Sequence, residues 1–144
     1  QPRPPPSSSK SNQIAIITGA GQGLGAAAAR LFASHGARVL VADLDGGKAE
    51  SVAAEINNAA GGAGKAAAFA GDVTAPEFAP KCVRAALDAF GGESIDILVN
   101  NAGEEKKSGE EVWERKEARF SFFFLEIFER TKNAILTFPF SLSL

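Results

Sequence analysis

The segment TGAGQGLG, Thr18 to Gly25, places four glycines in eight positions between the apolar run IAII and the helix-prone AAAARLF. Positions without side chains let the backbone turn sharply and let another group come close to it. Set between a strand-like run and a helix, such a loop aims the first N–H groups of the helix out beyond the strand's carboxyl end. A helix start carries about half a positive elementary charge, so it attracts a phosphate without the help of a lysine. The first lysine after the loop is Lys48, which sets aside the lysine-bearing loop of nucleoside triphosphatases. A tight turn that only brings helix and strand into close packing accounts for the glycines as well.

What surrounds the loop bears on that choice. The chain has 144 residues, enough for one ordinary domain with a core of its own. From Gln13 onward, short β-rich runs alternate with helical periods. The pattern predicts a first strand at Ile14 to Thr18 and then a helix with Ala28, Leu31, Phe32 and His35 on its apolar face, stopped by Gly36. It predicts a second strand at Val39 to Asp43, and a helix carrying Ala49, Val52, Ala53 and Ile56. A weaker third strand, AAFAG, ends at Gly71. A third helix follows with Val83, Ala86, Leu87 and Phe90, its Pro80 tolerable only in the first turn, and then a fourth strand at Ile95 to Asn100.

Strict strand–helix alternation with short connections implies crossover units and a parallel sheet, whose ligands lie beyond the carboxyl ends of the strands. The expected fold is therefore α/β, a partial doubly wound parallel sheet of the Rossmann type, with an irregular or helical tail at the C-terminal end. Residues 1–12, rich in Pro and Ser, read as an extended solvated lead, and residues 13–103 as the dinucleotide-binding half. Residues 104–144 read as an atypical tail. The missing Met implies that Gln1 is not the natural start.

Asp43 ends the second strand, 18 positions after Gly25, near the spacing at which an acidic residue meets the ribose hydroxyls of an adenine dinucleotide. A hydroxyl-to-carboxylate hydrogen bond contributes about 1.5–3 kcal/mol. A 2′-phosphate in its place meets a repulsion of about 4 kcal/mol per charge pair at 4 Å in a medium of effective ε 20. The expectation is NAD in preference to NADP, since no Arg or Lys lies in the loop or just after Asp43. A solvated turn or a cap for the second helix remains open as a role for Asp43, and Asp45 shares both options.

Taken with two further segments, the loop resembles the short-chain dehydrogenase/reductase family. TGAGQGLG is similar to that family's Thr-Gly-x-x-x-Gly-x-Gly; DV, Asp72 and Val73, is similar to its adenine-contacting pair; NNAG, Asn100 to Gly103, is similar to the segment that closes its fourth strand. The resemblance covers residues 13–103. It implies that Gly19, Gln22, Gly23, Leu24 and Gly25 cradle the pyrophosphate, Asp43 the ribose, Asp72 and Val73 the adenine, and Asn100, Ala102 and Gly103 the middle of the cofactor. It implies hydride transfer between NAD(H) and a small alcohol or ketone. Without the resemblance, Asp72 serves equally as a cap for the third helix, and NNAG as a turn.

The family's acid–base chemistry uses a Ser and a Tyr-x-x-x-Lys beyond this point, and the chain contains no Tyr. No catalytic residue is assigned, and the chain by itself is expected to be inactive; a non-catalytic NAD-binding module and a non-functional fragment are the other readings. After Gly103 the composition changes: residues 104–132 hold 15 charged side chains, and seven of the 11 Phe lie from Phe120 to Phe140. A truncated or misspliced reading frame would produce such a change, and with it the loss of the family's oligomer contacts. EEKKSGEEVWERKEARF reads as a solvated helix, with Val112 and Trp113 on the sheet. The outer edge of the fourth strand is then exposed unless AILTF, Ala134 to Phe138, lies along it.

Composition narrows the remaining classes. A net charge of −2 without a basic block gives nucleic acid or an anionic membrane nothing to bind. The longest apolar stretches, nine and twelve residues, fall short of the roughly 20 that span a bilayer. One Cys and one His leave no Cys-rich metal site, and the expected compartment is the cytoplasm. Cys82 reads as packing, and His35 as structural.

Overall fold

A computed structural model describes residues 12–59 and 65–102, and the backbone of 131–137. The chain runs β1 (Ile14–Thr18), α1 (Gly23–Ser34), β2 (Arg38–Asp43), α2 (Gly46–Ala59), β3 (Ala66–Ala70), α3 (Phe78–Phe90), β4 (Ile95–Asn100) and β5 (Thr131–Thr137). The strands form one sheet in the order β3-β2-β1-β4-β5, and every neighbouring pair is parallel. Successive units wind outward from β1 through β2 to β3, and the chain then returns to lay β4 on the other side of β1. The reversal leaves a crevice at the carboxyl ends of β1 and β4.

Burial on both faces explains why the strands read as continuous apolar runs. Ala15, Ile17, Val39 and Val41 point to one side, where they pack with α1 and α2; Ile14, Ile16, Leu40 and Ala42 point to the other, against α3. All five residues of β1 are buried. The four residues expected on the apolar face of α2, Ala49, Val52, Ala53 and Ile56, are its buried ones. In α3, Val83, Ala86 and Phe90 are buried with Phe78, Ala79 and Cys82, Leu87 packs partly against them, and Pro80 lies in the first turn. Cys82 is fully buried, and burial pushes its thiol pKa up to about 12. The packing role expected for it agrees with that environment.

Helix α1 departs from the expectation. Its buried residues are Gly25, Ala26, Ala29 and Ala33, while Leu31 is 60% exposed and His35, the capping residue at the C-terminal end, is exposed rather than on the apolar face. The helix approaches the sheet so closely that only small side chains fit between them. The larger Leu31 and His35 are left to solvent, and Phe32 packs only at the margin.

Strand β5 corrects the expectation of an irregular or helical tail for its seven residues. It pairs with β4 from Ile95↔Thr131 to Asn100↔Thr137, with one register irregularity between Ile95 and Ile97. This is the edge position for which AILTF is the sequence's candidate, and the strand ends before Pro139. A parallel apolar edge is thereby paired. Expectations for residues 1–11, for Gly103, and for the Val112–Trp113 segment lie outside the described residues. No helix among the described residues is long and apolar enough to cross a membrane.

Candidate functional site

At the crevice the ends of β1 and β4 are tied by one hydroxyl. Thr18, fully buried as the last residue of β1, accepts hydrogen bonds at Oγ1 from the backbone N–H groups of Asn101 (3.1 Å) and Ala102 (3.0 Å). The same hydroxyl lies 3.4 Å from Asn100 Oδ1, to which it donates. Asn101 in turn donates from Nδ2 to the carbonyl of Gly19 at 3.2 Å. Residues 100–102 and the glycine loop are therefore one hydrogen-bonded unit, not two adjacent turns.

Steric fit reinforces the tie. Gly19 has φ +63°, and a Cβ there would lie 2.9 Å from the Cα of Ala102. A Cβ on Gly25 would collide with the carbonyl oxygen of Gly19 and lie 2.5 Å from Asn101 Nδ2. Gly19 is thus confined to a left-handed conformation in a space without room for a side chain, and Gly25 sets how deeply α1 enters the crevice. Gly23 differs from both. Nothing stands within 4 Å of where its Cβ would be, so the loop is open to approach on that side.

The start of α1 supplies donors. Gln22 occupies the capping position in an extended conformation, makes no side-chain cap, and is followed by no acidic residue in the first turn. Backbone N–H groups at a helix start that have no such acceptor turn to solvent or to a bound anion. Leu24, 61% exposed, flanks the same opening. The loop thus combines close-packed glycines behind, an open face at Gly23, and a helix start without a side-chain cap beside it, a combination suited to an anion.

Asp43 turns toward the loop. Its Oδ2 accepts from the Gly21 N–H at 2.9 Å, and its Oδ1 accepts from the Asp45 N–H at 2.9 Å. Asp45 takes the capping role that sequence left open between the two acids: its Oδ1 accepts from the Lys48 N–H (3.2 Å) and its carbonyl from Ala49, at the start of α2. Each carboxylate oxygen of Asp43 retains acceptor capacity for a hydroxyl at the mouth.

Asp72 does not cap α3, whose capping residue is Glu77. Its Oδ1 instead receives the N–H (2.8 Å) and the hydroxyl (2.7 Å) of Thr74, fixing the turn after β3. Val73 is half-buried and packs against the α3-side core. Asn100 is 2% exposed and points into the protein, so its side chain supports the end of the sheet rather than the open mouth. Its Nδ2, like Asn101 Oδ1, is buried without a partner among the described residues. Ala102 packs on Gly19, and Gly103 lies outside the described residues.

Sequence reasoning passed over Thr18 and Asn101, although both stand in the segments it singled out. It also passed over Lys48, whose Nζ donates to Gln22 Oε1 at 2.7 Å. No local pattern marks that contact, because 26 positions separate the two residues.

Comparison with known proteins assigns this arrangement to a family. The family model described as short chain dehydrogenase matches residues 13–124. The chain belongs to the short chain dehydrogenase family. The match runs past Gly103 and so includes part of the compositionally distinct segment. An uncharacterized oxidoreductase of Bacillus subtilis (strain 168) is 46% identical over 99 residues, 69% of this chain and 14% of that protein. Galactitol 2-dehydrogenase of Agrobacterium fabrum is 45% identical over 91 residues, 63% of this chain and 32% of that enzyme. Among solved structures, 3-ketoacyl-(acyl-carrier-protein) reductase from Brucella melitensis, complexed with NADH, superposes with a TM-score of 0.70 at 32% identity, covering 87% of this chain and 56% of the reductase. The chain therefore spans a third or less of these curated relatives and just over half of that reductase.

Proposed function

We propose that residues 13–103 form the nucleotide-binding part of a short-chain dehydrogenase/reductase that works with NAD(H) on a small alcohol or carbonyl compound in the cytoplasm. The observation that carries this reading is the uncapped start of α1 beside the open face of Gly23, with the Asp43 carboxylate bonded into the same loop. In this role the amides at the start of α1 hold the pyrophosphate, with Gly19, Gln22, Gly23, Leu24 and Gly25 shaping the cradle. Asp43 accepts from the adenosine ribose hydroxyls, and its charge favours NAD over the 2′-phosphorylated form. Asp72 and Val73 stand at the adenine end, and Ala102 and Gly103 at the middle of the cofactor, with Asn100 contributing through its backbone while its buried side chain holds the strand end. NADH, when bound, supplies the hydride.

The part played by the chain's own residues is positional. Thr18 and Asn101 keep the ends of β1 and β4 in register, so the cradle is formed before the nucleotide arrives and little ordering is left to oppose binding. The chain has no Tyr, the residue the family resemblance puts in the acid role, and it is therefore read as the binding half of the reaction. Titration calorimetry with NADH tests this. Measurable binding that weakens at least about tenfold in Asp43→Ala supports the assignment, since one charge-assisted bond contributes about 1.5–3 kcal/mol. Absence of heat at millimolar NADH, with the chain folded by circular dichroism, refutes it.

A further inference from the structure

Asp43 does not face the mouth alone. A Cβ placed on Gly21 would lie 2.8 Å from Asp43 Oδ2 and 2.8 Å from the Cβ of Lys48, so the acid and the stem of the lysine converge on the same face of one glycine. The juxtaposition has a simple origin: Asp45 caps α2, and the turn this begins carries Lys48 back over the loop. From there Lys48 Nζ reaches Gln22 Oε1 at 2.7 Å. Among the described residues it is the one cationic side chain hydrogen-bonded to the glycine loop. Arg30 is engaged by Glu55 on the surface, and Arg38 by the carbonyls of Phe90 and Asn12.

The geometry points to Lys48 as a second specificity determinant, one that opposes Asp43 by offering its ammonium to a phosphate on the adenosine 2′-oxygen. The inference rests on the nucleotide-binding reading above and concerns which nucleotide the same mouth accepts. A carboxylate beside a ribose repels a 2′-phosphate; an ammonium whose stem shares the same face of Gly21 attracts it, and the two charges act on one substituent. Lys48 is exposed, and its bond to Gln22 lies at the surface, where such contacts exchange readily with solvent. Four methylenes and free rotation let the ammonium leave Gln22 for a phosphate at little cost. The site accordingly discriminates less sharply against the phosphorylated nucleotide than Asp43 alone would impose.

The test uses adenosine 2′,5′-bisphosphate and 5′-AMP as probes, titrated calorimetrically into the full chain, so that neither nicotinamide nor turnover enters the readout. In Lys48→Gln the affinity ratio of bisphosphate to monophosphate falls about tenfold, the loss of one charge-assisted contact. Lys48→Arg, which keeps the charge, retains the ratio. NADH binding by the unsubstituted chain separates the two levels of the argument. If NADH binds but the ratio is the same in Lys48→Gln, or both probes weaken equally, the role of Lys48 is overturned and the nucleotide site stands. If neither NADH nor the probes bind, both fall together.

Discussion

Replacing Thr18 by Val keeps the shape of a fully buried residue and removes only its oxygen, so it isolates the tie between β1 and β4. Two backbone donors lose their acceptor, the N–H of Asn101 at 3.1 Å and that of Ala102 at 3.0 Å. A buried donor left unpaired costs about 1–3 kcal/mol. Asn101 is 6% exposed and takes a mid-range value; Ala102 is half-buried, where water replaces part of the loss, and takes the lower end. The bond to Asn100 Oδ1, 3.4 Å long, adds little. The expected destabilisation is about 3 kcal/mol, which shifts the urea midpoint down by about 1–3 M for an m-value of 1–3 kcal/mol/M. Thr18→Ser is the control: it keeps the oxygen, loses one methyl, and costs about 1 kcal/mol. Urea unfolding followed by circular dichroism reads both. Were Thr18→Ser the less stable of the two, or Thr18→Val within about 0.5 kcal/mol of the parent, packing and not the hydroxyl would hold the crevice together, and the account of a preformed cradle would be wrong.

Gly25→Ala drives a Cβ into the Gly19 carbonyl, and Gly23→Ala meets open space at φ +58°. The first should lose NADH binding by calorimetry along with stability, whereas the second should cost about 1–2 kcal/mol of stability from left-handed strain and, with its methyl on the open face, weaken NADH binding without any clash inside the loop. Cys82, fully buried with its thiol pKa pushed up to about 12, should resist alkylation at pH 8 in the folded chain and react once urea unfolds it, as mass spectrometry would record. Because that pKa is raised on folding, the stabilisation linked to Cys82 is complete below the unfolded value of about 8.5 and is lost as pH rises toward about 12, at up to about 1.4 kcal/mol per pH unit. Urea midpoints that held constant from pH 8 to 11 would contradict that burial.

Where sequence and structure agree, the signal is one of pattern. The bounds of β1 and β4 and the buried face of α2 followed from apolar runs and a helical period set against Lys, Glu and Asn on the other side. Helix α1 was misjudged because its Ala-rich turn gives the period nothing to choose between, and size then misled: hydrophobicity selects Leu31, whereas close approach to the sheet selects Gly25, Ala26, Ala29 and Ala33. The same distinction runs through the site. Asp43 was legible because an acid at the end of a strand has a fixed distance from the loop along the chain. The hydroxyl of Thr18, the amide of Asn101 and the ammonium of Lys48 act on partners 82 to 84, 82 and 26 positions away, and their roles exist only after the sheet has closed. A glycine loop in a sequence thus announces that something is held closely, while the groups that fix its shape are supplied by strands and helices elsewhere in the chain. For this reason Thr18 and Lys48 separate cleanly by experiment: removing the first should collapse the cradle for every nucleotide, and removing the second should alter only its choice among them.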